Sequence, residues 1–140
     1  MTRDPLTALL RLRRLTADQA RRALADCLRV ESLAAQSVAS VDAAIEHETA
    51  AATSLASSDA EVEAFAAWLR HIRPKQHAAQ AAAEQAEAET VRARALLAAA
   101  RAAVRAVEEM LEKHATAKVV EVEHEAQHEI DETARRTRDG

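Results

Sequence analysis

The sequence predicts an all-α protein, a long antiparallel two-helix coiled-coil hairpin whose second helix is the longer and is kinked at Pro74. Three observations carry this. Chain breakers are nearly absent: the 140 residues hold one Gly, at the last position, two Pro (Pro5 and Pro74) and no Asn. Alanine supplies 37 residues, and charged residues make up 30% of the chain, a composition typical of long helices and coiled coils. Apolar residues recur at alternating spacings of three and four, the seam of a left-handed coiled coil. Sheet proteins need frequent turns, and turns with positive φ need Gly or Asn. Sheet architectures, Gly-rich phosphate loops and dinucleotide-binding folds are therefore excluded.

The first helix starts at Asp4-Pro5. Asp is a good N-cap acceptor, and Pro at the first helical position lacks a donor that would be orphaned there anyway. A strict ladder then runs Leu6, Leu10, Arg13, Ala17, Ala20, Leu24, Cys27, Glu31, Ala34, Val38, Val41, Ile45, Glu48, Ala52, Leu55, of which twelve are apolar. A second ladder runs Ala83, Ala86, Thr90, Ala93, Leu97, Ala100, Val104, Val107, Leu111. Beyond it the apolar residues Ala115, Val119, Val122, Ala126 and Ile130 lose phase, which in coiled coils marks local unwinding or the end of a paired stretch.

Two segments compete for the turn. Pro74 disfavours helical backbone at Arg73, and a turn there sets Asp42 near Arg105 and Glu46 near Arg101. The alternative is 53–58, where Ser58 and Glu61 have the spacing of a capping box. That turn runs the first helix out opposite residue 109, where the second ladder slips. Exposed ion pairs are each worth under ~1 kcal/mol, so phase outweighs charge. The prediction is one unit over 1–140: helix one over 5–53, roughly 75 Å long, a turn at 54–58, and helix two over 59–138, roughly 120 Å long, at 1.5 Å per residue. The last thirty or so residues project as a lone helix.

Net charge is −4, unevenly spread: residues 1–30 carry seven Arg against three Asp, and residues 31–72 one Arg against seven acids. No block combines strong basicity with aromatics, which argues against nucleic acid. No apolar run approaches a membrane span, and no basic amphipathic face suits a membrane surface. The single Cys27 excludes an internal disulfide and suits a cytosolic protein.

His124-Glu125-Ala126-Gln127-His128 matches the zinc-protease spacing HExxH. That chemistry needs a third ligand and an open coordination site in a dry cleft, and a helix rich in His and Glu reads more simply as a solvated face. His71, His77 and His114 have no partners at ligand spacing, His47 sits between Glu46 and Glu48 and is expected on the surface, and Cys27 is a seam residue. No catalytic group, metal or cofactor is expected. Phe65, Trp68, Leu69 and Ile72 fall on one helix face just past the turn. They either cap the hairpin by packing on helix one or anchor a partner, since aromatics dominate interface energetics.

Three segments resemble the FliJ family of flagellar export proteins and the related YscO group of type III secretion. Leu6-Thr7-Ala8-Leu9-Leu10-Arg11-Leu12-Arg13-Arg14 resembles the family's Leu- and Arg-rich opening. Phe65-Ala66-Ala67-Trp68-Leu69-Arg70-His71-Ile72 resembles its aromatic segment after the turn, and Glu129-Ile130-Asp131-Glu132-Thr133-Ala134-Arg135-Arg136 its close. The resemblance implies a cytoplasmic stalk, peripheral to the inner membrane, that enters the hexameric export ATPase and touches the export gate membrane protein, with export chaperones as further partners. Carried over, Phe65, Trp68, Leu69 and Ile72, with Val41 and Ile45, would face the gate. Leu10, Arg11 and Arg14, with Glu129, Ile130 and Arg135 in the helix from Glu121 to Arg136, would face the ATPase. The alternatives are an Ala-rich coiled-coil adaptor or granule-coat protein and, more remotely, a zinc hydrolase using His124, Glu125 and His128.

Overall fold

The computed structural model describes residues 4–54 and 56–140. It consists of two long helices packed against each other, α1 (Pro5–Ala52) and α2 (Asp59–Asp139), with no strand among the described residues. Asp4 caps α1: its Oδ1 accepts from the Leu6 amide at 3.0 Å, and its carbonyl accepts from the Thr7 amide at 3.0 Å.

The connection is built without glycine. No described residue has positive φ, so the usual left-handed C-cap is replaced by hydroxyls. Ser57 Oγ donates to the Ala51 carbonyl at 2.7 Å, Thr53 Oγ1 donates to the Thr49 carbonyl at 2.8 Å, and the Ser57 amide donates to the Ser54 carbonyl at 3.1 Å. The Ser57 hydroxyl satisfies the Ala51 carbonyl, one of those that a helix end leaves orphaned, while the Thr49 carbonyl also accepts from the Thr53 amide at 3.0 Å. On the far side Ser58 Oγ accepts from the Glu61 amide at 3.3 Å and caps α2. Leu55, last rung of the first ladder, lies outside the described residues.

The alternative turn near 73 does not occur. Arg73 and Pro74 both lie inside α2. Interior proline costs ~3 kcal/mol, but Trp68, Leu69, Ile72 and Gln76 on either side are all half-buried, and breaking the helix there would lose their burial. Asp42 accordingly meets Gln76, whose Nε2 donates to Asp42 Oδ1 at 2.9 Å, and not Arg105.

The chain divides into two compact units, Gln19–Ala98 and the pair Met1–Asp18 with Ala99–Gly140. In the first, α1 turns inward the half-buried Ala20, Leu24, Cys27, Glu31, Ala34, Val38, Val41 and Ile45, and α2 contributes the buried Ala86, Thr90, Ala93 and Leu97. Its two enclosed polar rungs are unequal. Thr90 is 2% exposed and donates its hydroxyl to the Ala86 carbonyl at 3.1 Å. Glu31 has one enclosed carboxylate oxygen, Oε2, with no hydrogen-bond partner.

In the second unit Ala17, Ala100 and Val107 are buried, with Leu6, Leu9, Leu10, Val104 and Leu111 half-buried. Arg14 Nη2 lies 3.4 Å from Glu108 Oε1. From Glu112 to Gly140 every residue is exposed. Two ladder positions depart from the seam: Arg13 and Glu48 are exposed. A charged side chain at a seam position escapes to water where its stem allows, whereas Glu31 stays partly enclosed.

Candidate functional site

Two surfaces differ from an ordinary solvated helix face, one at the α1–α2 connection and one on the α2 tail. At the connection, the last turns of α1 and the first turns of α2 enclose an open cleft of about 430 Å³, lined by Glu48, Ala51, Ala52, Glu61, Ala64, Phe65 and Trp68. The Phe65 and Trp68 ring centroids are 6.1 Å apart with planes tilted by 30°, within the range of attractive aromatic pairs. Both rings are half-buried, as are Leu69, Ile72, Val41 and Ile45. The predicted stripe therefore spends part of its surface on the seam. Of the six, only Phe65 and Trp68 line the cleft.

Sequence reasoning gave Glu48 a seam position and Glu61 a capping role. The structure keeps the Glu61 amide on Ser58 Oγ and also sets Glu48 and Glu61, one from each helix, on the cleft lining, where no described Lys or Arg joins them. The signal lay in the charge distribution, because residues 31–72 carry seven acids and one Arg. Glu48 has His47 Nδ1 at 3.7 Å as its neighbour.

On the tail, Val119, Val122 and Ile130 are 57%, 64% and 62% exposed. The polar contacts there stay within one turn of the helix: Gln127 Nε2 donates to Asp131 Oδ1 and Arg136 Nη2 to Glu132 Oε1, each at 3.1 Å. Residues 119–134 hold six acids and no Lys or Arg. Glu129, Ile130 and Arg135 are exposed on this tail, and at the start of α1 Arg11 is exposed, Leu10 half-buried and Arg14 engaged with Glu108.

No known protein family, curated protein or solved structure matches this chain. Site geometry therefore carries the functional reading. His124, Glu125 and His128 are fully on the exposed tail. No group of three or more His, Cys, Asp or Glu side chains among the described residues is arranged to hold a metal ion. His47, His71, His77 and His114 are exposed, and Cys27 is half-buried in the seam. Among the described residues no helix is long and apolar enough to cross a membrane.

Proposed function

We propose that this protein is a coiled-coil stalk of a type III export apparatus, acting without chemistry of its own. It binds the hexameric export ATPase through the start of α1 and the α2 tail. Near the connection it binds the export gate membrane protein, with export chaperones as further partners. It works in the cytoplasm at the periphery of the inner membrane. The observation that carries this reading is the tail itself, which remains helical to Asp139 with Val119, Val122 and Ile130 uncovered. Most helical stability in proteins comes from packing an apolar face, and exposed apolar side chains on an unpacked helix point to a partner that covers them. A ring with a central pore covers such a helix from all sides, and its binding adds stability by mass action.

The test mixes the full chain with purified export ATPase. Turnover and ring assembly should both rise, and the double variant V122D/I130D should lose both effects. Absence of binding with unchanged turnover would sink the reading. Trp68→Ala should weaken binding to the export gate while leaving ATPase stimulation and circular dichroism near wild type. A large loss of helicity would assign Trp68 to the seam instead.

A further inference from the structure

We propose that the cleft at the connection is a receptor for one arginine side chain presented by a partner, an assignment that rests on reading this end as partner-facing. Four features select that ligand. Phe65 and Trp68 both line the cleft, their ring centroids 6.1 Å apart, and a guanidinium stacks on aromatic faces. The titratable side chains on the lining, Glu48 and Glu61, are both carboxylates, one from each helix, and carboxylates accept the guanidinium fork. Ala51, Ala52 and Ala64 complete a small apolar wall, suited to the methylene stem that a long cationic side chain lays along apolar surface. Residues 46–63, which contain the connection, hold five acids and no Lys or Arg, and give the approach a negative field that draws cations in.

The same features reject other occupants. A phosphate or carboxylate ligand meets two like charges. An aliphatic or aromatic side chain would fill the apolar floor but strip water from Glu48 and Glu61 without replacing it, which is unfavourable for an ionised group. Lysine shares the charge but lacks the planar fork that engages a ring face and a carboxylate together. Among the described residues no Lys or Arg lines the cleft, and the one neighbouring group that can carry positive charge against Glu48, His47 Nδ1 at 3.7 Å, lacks the guanidinium fork.

Trp68 is the single Trp of the chain, so its fluorescence reports on this cleft in the intact protein. The probes are blocked pentapeptides of alanine carrying arginine, citrulline or leucine at the centre. Citrulline keeps the shape of arginine and removes its charge. The arginine peptide should shift Trp68 emission saturably, the citrulline peptide should bind about tenfold more weakly, and the variant E48Q/E61Q should lose about tenfold for arginine alone. Glutamine keeps the capping position at residue 61, and E48Q alone, which leaves the cap intact, should give part of the loss. Equal binding of citrulline or leucine, or no response to arginine, overturns the assignment. So does an emission shift driven by protein concentration alone, which would seat a second copy in the cleft. The export ATPase is absent from this experiment, so its outcome and that of the stalk reading are separable.

Discussion

From Ala83 to Leu111 α2 offers nine ladder positions, all buried or half-buried; from Glu112 to Asp139 the same uninterrupted helix offers none. Helix propensity does not decide between the two stretches, because both are helical although residues 83–111 hold eleven Ala and residues 112–139 only four. The difference is the rhythm of the apolar residues. Alternating steps of three and four keep a stripe on one side of a helix, whereas each step of four advances it about 40° around the axis. After Leu111 most steps are four, so the stripe winds away from any single straight partner. Helix formation and helix pairing are thus separate properties here, and the tail has only the first.

The largest effect should come from putting the same charge into each stretch. Val107 is 3% exposed and Val122 is 64% exposed. Val107→Asp buries an unpaired carboxylate between the helices and should cost ~3 kcal/mol or more, seen as a lower urea midpoint by circular dichroism. Val122→Asp should fall within ~0.5 kcal/mol of wild type. Equal losses would mean that the tail is paired in solution and would break the comparison.

A smaller effect of opposite sign is expected at Glu31. Its Oε2 is enclosed without a partner, and a buried acceptor without a donor forfeits its hydration. Glu31→Leu should therefore stabilise the chain by ~1 kcal/mol in the same urea experiment. A loss of stability would show that the carboxylate holds register, as single polar residues do in some coiled coils.

Much of this organisation was legible beforehand because it rests on short-range chemistry. Asp4 and Pro5 start α1, Ser58 caps α2, and the slip after Leu111 marks where burial stops. The export resemblance adds nothing to those points, which follow from spacing alone. What escaped reading is what depends on which way a long side chain swings. Arg13, Glu31 and Glu48 occupy equivalent rungs of one ladder, yet only Glu31 is drawn inward. The apolar rungs on either side of Arg13 and Glu48 (Leu10 and Ala17, Ile45 and Ala52) stay buried or half-buried, so it is the charged side chain that leaves the seam and not the helix that turns away. That Glu48 and Glu61 line one cleft depends on the path of the connection. That path is set by hydroxyl caps at Thr53 and Ser57, which no glycine signal announces.

The smallest effect tests where pairing ends. Arg14 and Glu108 join α1 to α2 at 3.4 Å, with side chains 59% and 46% exposed. Glu108 lies one turn before the last half-buried rung, Leu111. In an antiparallel pair the two side chains lean in opposite directions, each towards the start of its own helix, so their tips meet although the backbones are offset. Such an exposed pair should contribute ~0.5 kcal/mol, read as the coupling in a double-mutant cycle with Arg14→Ala and Glu108→Ala. At 1 M salt, where charges are screened beyond ~3 Å, the coupling should vanish. Persistence in salt would mean that the contact is held by packing of the Arg14 stem, and that α1 covers more of α2 at this end than its exposed charges suggest. The boundary between seam and tail would then lie beyond Leu111.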